Sequence, residues 1–598
     1  MGRSMLLHAG RLHTRVPFAD NRPPMVMTGR DPTTVTIIGT HPIPPGPSAL
    51  RPEKGSHPPV PHHAQPRPGR RPAASGAIAA VVAAVLLLAS SDLRPAAVTA
   101  APQLITGPYA SLLGASTDLG RSRARTVQLT AALLGSARPH RLLEWAADRG
   151  LEARWRAGDT WAILQGPPGA VAGALDVAVH DYRGRRGQVF YASPQQPQVP
   201  APLRDSVSGL GRILSYTPYR SALPPIPTDV PFPGLVPTSL RTTYNVAPLT
   251  ADGYTGKGTT IVVFAFDGFN QPDLDLFATT FGLPTFIPEV VGGMPEQRSG
   301  EASMDLQVAH AIAPDARKVL VNARSTVEGG GAFEKIGRLM ESVDQQFPGA
   351  VWTLSIGWGC DKLITAADME PVRAAIARAH THGTTVFDAS GDLAGLECKG
   401  GQDWSAPPSP ADVGLDVVAS LPEVTNVGGT TLSTDADYQW LDEQAWFDPP
   451  LTQGSGGGVS NLFDRPQWQQ DIFPPNSNPR RLAPDISAVA DIFTGAVIFL
   501  NQHQVVGGGT SQAAPLWAGI AAVMNQYLAA NGGRPLGDLN SVLYRVAGSA
   551  SRPGFHDVTL GANAVSVAGP GFDLVTGLGT PNVNNLVRNI LELQGVTR

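Results

Sequence analysis

Ser511 stands in "GGGTSQAAPLWAG", residues 507–519, with glycines crowding one side and Pro515 and an apolar, helix-like run on the other. That setting presents a hydroxyl on a tight turn at the mouth of a helix, and a serine hydroxyl becomes a nucleophile only beside a base. Histidine is the first base to look for. His310, His380, His382, His503 and His556 are available, but none lies in an HGT setting. His310 in "QVAHAIAP" comes nearest, yet it falls within an apolar helical stretch and reads as a satisfied core or surface histidine. Just upstream, "SGEASMDLQVAHAIAP" places Glu301 and Asp305 four residues apart, on one face of a helix. Two adjacent carboxyls cannot both ionise cheaply; they share a proton, and the raised pKa makes one a usable base in acid. A solvated acidic patch at a helix N-terminus fits the same spacing, and spacing alone favours it. A third carboxyl, Asp392 in "VFDASGDLAG", comes after a strand in a Gly-flanked turn. Protonated, it could donate to a developing oxyanion. Taken alone, it reads equally well as a turn residue.

A different chemistry is suggested near the C-terminus, in "FHDVTLGANAVSVAGPGFDLVTGLGTPN". Asp557 and Asp573 bracket a loop with Gly569 and Gly571 at alternate positions. Carboxylates with backbone carbonyls suit a hard cation such as calcium, although composition alone describes a plain Gly-rich turn.

The elements that must position these residues change character along the 598-residue chain, which is too long for one ordinary domain. Residues 1–72 are rich in Pro, His and Arg without periodicity and read as disordered or upstream sequence. At 73–101, just after Arg70 and Arg71, an apolar run from about Ala77 to Ala89 leads into small residues. This predicts a secretory signal or, over 73–90, a membrane anchor, although the run is shorter than the ~20 residues a spanning helix needs. The chain beyond Ala101 is expected outside the cytoplasm. Residues 102–222 alternate strand and helix patterns as a small α+β unit: "RARTVQLTAALL" as a strand, "HRLLEWAADRGL" as a helix, "EARWRAGDTWAILQG" as a hairpin, "PGAVAGALDVAVHDYR" as a helix and "GQVFYAS" as a strand. A Pro-rich linker with a processing site occupies 223–239. From 240 to 598, apolar runs such as "TTIVVFAF", "RKVLVNA" and "GTTVFDAS" alternate with helical stretches, predicting an α/β fold with a mostly parallel sheet covered on both faces.

Residues 1–100 carry 11 Lys/Arg against 4 Asp/Glu, so a net charge of −11 falls on the remainder, which carries no nucleic-acid footprint. The only cysteines, Cys360 and Cys398, read equally well as a disulfide of an exported chain or as two buried thiols.

Taken in order, "GEASMD", "LSIGWG", "SGD", "VTNVGGTTL", "SGGGVSNLFDRPQWQ", "RLAPDISAVAD" and "GGTSQAAPLWAG" resemble the sedolisins, serine-carboxyl peptidases of the kumamolisin and tripeptidyl-peptidase I kind, from about Leu240 to the C-terminus. The resemblance implies a subtilisin-like fold. Glu301 then takes the proton of Ser511, Asp305 orients Glu301 and shares its proton, and Asp392 donates to the oxyanion beside the Ser511 N–H. It also implies one structural calcium ion on the carboxylates of Asp557 and Asp573 and the carbonyls of Val558, Gly569 and Gly571. Residues 102–222 resemble the family's activation propeptide, shortened at "GSARPH". Gly357 stands where relatives often have a serine, and Cys360–Asp361 departs from their usual run. A Cys360–Cys398 bridge would brace two loops of the site. The expectation is an exported monomeric endopeptidase zymogen, most active in acid, with its own propeptide and protein or peptide substrates as partners. A tripeptidyl exopeptidase and a catalytically silent binding protein are the alternatives; all four site residues being present argues against the second.

Overall fold

The computed structural model describes residues 102–185, 187–217, 220–221, 234–399, 409–448, 453–470, 478–549 and 552–596. The N-terminal region 1–72, the signal or anchor at 73–101 and most of the 223–239 linker lie outside the described residues. Among the described residues, no helix is long and apolar enough to cross a membrane.

Strand-length apolar runs in the C-terminal half assemble into one eight-stranded sheet. Its order runs Glu289–Val291, Arg317–Asn322, Thr260–Ala265, Val351–Leu354, Thr385–Ala389 and Thr425–Thr434, and the last of these pairs with both Ile486–Val489 and Trp440–Ala445. Every pairing is parallel except that of Trp440–Ala445. The runs are continuously apolar because both faces are buried. Ile261 and Val263 enter one core with Trp517 and Leu306, while Val262 and Phe264 enter the other with Trp352, Met340 and Ile376. The helices Glu301–Ile312 and Thr510–Ala530 cover the first face, and Ala332–Gln346 and Glu370–Thr381 cover the second.

The unit beginning at residue 102 has its own core around Leu142, Trp145, Leu164 and Val171. A four-stranded antiparallel sheet runs Glu152–Arg154, Trp161–Gly166, Val127–Leu133, Val207–Leu210, and a three-stranded one joins Thr117–Arg121, His180–Arg183 and Val189–Ala192. The structure corrects one expectation in this unit. "PGAVAGALDVAVHDYR" is not a single helix: it is helical over Pro168–Leu175, and Asp176 at φ 55° then ends the helix. Val177, Val179 and Tyr182 are buried beyond it, leading into the strand His180–Arg183. Val127–Leu133 is a strand, as expected, but it is buried along nearly its whole length rather than on alternate residues. Its sheet packs helices on one face and the C-terminal unit on the other. There Gly211 abuts the Asp368 carboxylate, whose two oxygens each lie 3.1 Å from the Arg212 N–H and accept from it. Beyond the unit, Arg220–Ser221 pairs antiparallel with Ile356–Gly357, Ser221 opposite Ile356.

Candidate active site

In open parallel sheets, ligands bind beyond the carboxyl ends of the strands. Asp267 comes after Thr260–Ala265, Ser355 after Val351–Leu354, and Asp392 after Thr385–Ala389. Glu301 and Asp305 occupy the first and second turns of Glu301–Ile312, and Ser511 is the second residue of Thr510–Ala530. The fold therefore brings all four predicted catalytic residues to one end of the sheet. Two further groups, Asp267 and Ser355, join them.

Glu301, Asp305 and Ser511 are buried, at 4%, 0% and 4% exposure, so water does little to support a charge on either carboxyl. Burial pushes the Glu301 carboxyl well above its ordinary range, and the neighbouring charges of Asp305, Asp267 and Asp392 push the same way; hydrogen bonding from Ser511 works against them. Burial likewise raises Asp305, against the hydrogen bond from Ser355 and together with Asp267. Glu301 Oε1 and Asp305 Oδ2 are buried without a hydrogen-bond partner among the described residues, as expected where a proton is to be shared between acceptors.

Pro515 helps to locate that proton. It lies inside the helix and has no N–H to offer the carbonyl four residues back, which is that of Ser511. The Ser355 hydroxyl instead donates to Ser511 O at 3.1 Å, and it lies 2.9 Å from Asp305 Oδ1. The hydroxyl's one hydrogen is divided between these two acceptors, which leaves the shared proton to the unpartnered Glu301 Oε1 and Asp305 Oδ2.

Asp392 Oδ1 accepts the N–H and the hydroxyl of Thr510, each at 2.8 Å, which clamps the turn after Thr385–Ala389 to the start of the nucleophile helix. Gly509 is required there: its φ is +84°, and a Cβ would stand 2.8 Å from Asp392 Oδ2. Among the described residues the Ser511 N–H meets no acceptor, which leaves a backbone donor beside Asp392 for an oxyanion. His310 is a core residue, as expected. It is fully buried, stacks on Phe286 and bonds Pro284 O through Nε2 at 2.8 Å, and burial pushes it down to about 2.

Cys360 and Cys398 form a disulfide with Cα atoms 4.7 Å apart. It ties the loop after Ile356–Gly357 to the arm after Asp392, where Glu397 Oε1 accepts the Leu393 N–H at 3.0 Å. The departures at Gly357 and Asp361 have local causes. A Cβ at 357 would meet Asp416 Oδ2 at 2.6 Å, and that oxygen accepts the Gly359 N–H at 2.8 Å, so the acid occupies the space a serine side chain would take. Asp361 is buried, which pushes it up to about 6 against two hydrogen bonds from Asn461.

In the C-terminal loop, Asp573 accepts the N–H groups of Gly569, Val575 and Thr576, and Asp557 accepts that of Gly571 at 2.9 Å. The two carboxylates thus hold opposite ends of one loop. Among the described residues no hydrogen bond reaches the carbonyls of Val558, Gly569 or Gly571. This donor set, two carboxylates and three free carbonyls, fits a hard cation.

A serine, a carboxyl pair in the place of a base and an acid at the oxyanion position, set on a doubly covered parallel sheet, describe a serine-carboxyl peptidase. The comparisons agree. No family model matches the chain. Kumamolisin of Bacillus sp. (strain MN-32) is 30% identical over 465 residues, 72% of this chain and 78% of that protein. Tripeptidyl-peptidase 1 of Mus musculus is 30% identical over 434 residues, 66% of this chain and 72% of that protein. Among solved structures, Pseudomonas sedolisin, a serine-carboxyl proteinase complexed with two molecules of pseudo-iodotyrostatin, matches with a TM-score of 0.50 at 26% identity, covering 61% of this chain and 99% of that one. The chain belongs to the sedolisin family of serine-carboxyl peptidases and is a hydrolase of peptide bonds.

Asp267 and Ser355 escaped the sequence reading. Asp267 did leave a signal, since "FAFDGFN" puts it at a strand end beside a glycine, the same address as Asp392.

Proposed function

We propose that the protein is an endopeptidase, made as an exported zymogen and most active in acid, that cleaves through an acyl-enzyme on Ser511. The observation that carries this reading is the pairing of Arg220–Ser221 with Ile356–Gly357, one residue from Ser355. A substrate would add to the same edge as an extended strand. Glu301 takes the Ser511 proton as Oγ attacks the carbonyl carbon, with Asp305 sharing the proton and fixing the carboxyl. Asp392, protonated, and the Ser511 N–H stabilise the oxyanion; Glu301 then protonates the departing amine and activates the water that releases the acyl group. The carboxyl pair must hold one proton for this, so activity falls as pH rises toward neutrality. The strand-paired residues come after a whole folded unit, so the cleft edge takes chain that continues upstream, which favours endopeptidase action over tripeptide release. The disulfide suits an oxidising compartment and supports export.

One calcium ion is proposed on Asp557, Asp573 and the carbonyls of Val558, Gly569 and Gly571, where its charge would hold the C-terminal loop together. Added calcium should raise the thermal midpoint of the wild type and leave that of Asp573→Ala unmoved; equal responses would remove the assignment.

To test the main reading, protein beginning near residue 102 is taken from neutral pH to about pH 4, with Ser511 intact and as Ser511→Ala, and followed by intact mass. The expected result is loss of an N-terminal fragment in the wild type only, with the new terminus between 223 and 240. The released enzyme should then cut N-acetylated peptides. Release of three residues from free-amine peptides alone would replace the reading with the tripeptidyl one, and an inert wild type would favour the silent binding protein.

A further inference from the structure

Asp267 plays no part in the proton transfers of the mechanism, yet it has the most crowded set of donors near the site. Its Oδ2 accepts the Ser299 N–H at 2.9 Å, the Ser299 hydroxyl at 2.6 Å and the Gly300 N–H at 3.0 Å, and its Oδ1 accepts the Ala302 N–H at 3.0 Å. These donors enclose Glu301. The helix Glu301–Ile312 has no side-chain cap of its own, since its N-cap residue is Gly300 at φ 110°. An acid from the end of a central strand of the sheet supplies the missing acceptors.

We propose that Asp267 is a positioning residue of the catalytic carboxyl system, fixing Glu301 to the sheet and keeping a third buried carboxyl group beside the Glu301–Asp305 pair. The donors reach both carboxylate oxygens, where a neutral amide would offer one acceptor oxygen only. An acid does more, because its charge opposes ionisation of both partners and so makes Glu301 a stronger base toward the Ser511 hydroxyl. The directions found for Glu301 and Asp305, each raised in part by Asp267, agree with this. Among the described residues, the charged and titratable groups facing the cluster are Glu301 and Asp305 on the helix, Asp392 from the adjoining turn, and Arg298 beside Gly268. The Arg298 guanidinium is engaged by the carbonyls of Pro295 and Gln297, so among the described residues no ion pair neutralises Asp267. Asp267 is only 2% exposed, and solvent does not screen it.

The inference rests on Glu301 acting as the base, and its test separates the two ideas. Rates against pH are measured for wild type, Asp267→Asn, Ser299→Ala and Glu301→Gln. Asp267→Asn keeps the shape, gives up one acceptor oxygen and removes the charge, so the shared proton is held less tightly. Its kcat should fall at least about tenfold with KM little changed, and the alkaline limb of the profile should move down by about one pH unit. Ser299→Ala leaves the charge and removes one hydroxyl dipole that offsets it, so the limb should move up, by less. A cap with a purely structural role would lower thermal stability in both variants and move neither limb. Folded Asp267→Asn with an unmoved limb overturns the inference; should that variant fail to fold, an unmoved or lowered limb in Ser299→Ala overturns it instead. Glu301→Gln that keeps its activity would sink the base assignment itself.

Discussion

Two clusters of buried carboxyls in this protein have opposite company. At the active site, Glu301 and Asp305 lie against each other and Asp267, and among the described residues no ion pair reaches any of the three. Where the N-terminal unit docks, Asp159 and Glu341 are just as buried, with side chains 1% and 4% exposed, but guanidinium groups surround them. Arg338 bonds both, Asp159 at 2.6 Å and Glu341 at 3.1 Å, and lies 4.1 Å over the Trp161 ring; Arg156 and Arg378 also reach Glu341. Burial works against the Arg338 charge, and its hydrogen bonds to these two acids more than restore it. Burial is therefore not what separates the two clusters. The difference lies in the neighbouring charge: guanidinium groups face the docking acids, while at the site burial and the neighbouring carboxyls together raise Glu301 and Asp305.

Glu301→Gln should break this contrast most severely. With no base for Ser511, activity should drop by about 10³-fold or more, as when one member of a concerted catalytic unit is removed. Stability should move the other way. A carboxyl whose folded pKa is raised above its unfolded value contributes fully only below the unfolded range near pH 4, and that contribution is lost as pH rises through the folded value. At neutral pH wild-type Glu301 is therefore a destabilising residue, and glutamine should raise the thermal midpoint there. The gain, about 1 kcal/mol or more for relieving an unpaired buried charge, should vanish as pH falls to about 4. Melting curves of Glu301→Gln in a Ser511→Ala background, where self-cleavage cannot interfere, would test it. A midpoint unchanged or lowered at neutral pH would mean that the site tolerates the charge after all.

The four residues proposed for catalysis could be singled out in the sequence because each sits in a short stretch whose local pattern matters: a helix face for Glu301 and Asp305, a Gly-flanked turn for Asp392 and a Gly-rich lead-in for Ser511. The sheet was legible for the same reason, since continuous apolar runs record burial on both faces. What stayed hidden depends on chain segments that meet only in the fold. Asp267 caps a helix that begins 34 residues later, and Ser355 reaches both Asp305 and Ser511 from a different strand. The strand pattern of Val127–Leu133 cannot reveal that a second unit covers its outer face. The helix expected through "DVAVHDYR" failed on one residue, since Asp176 can adopt the left-handed conformation that ends a helix and starts a strand.

The docking cluster offers the gentler break, and it grades itself. Arg338→Ala strands Asp159 and Glu341 in a buried interface, where removing one partner of an ion pair costs about 3–5 kcal/mol. Arg156 and Arg378 remain to soften that loss, so about 2 kcal/mol is expected, below the isolated-pair figure. Arg154 forms a two-pronged pair with Glu334, at 2.7 and 2.8 Å, but the arginine is 38% exposed and water competes for both partners. Removing it with Arg154→Ala should cost about 0.5–1 kcal/mol, the upper part of the range for surface pairs. Both variants would be made in Ser511→Ala protein, and undocking of the N-terminal unit read as its rate of cleavage by added trypsin at neutral pH, which tracks the open population when reclosing is fast. Arg338→Ala should be cut about 30 times faster than the parent and Arg154→Ala about three times faster. Equal rates would show that the buried acids gain no more from their guanidinium partners than exposed ones do, and the contrast with the active site would then rest on the anions of the site alone.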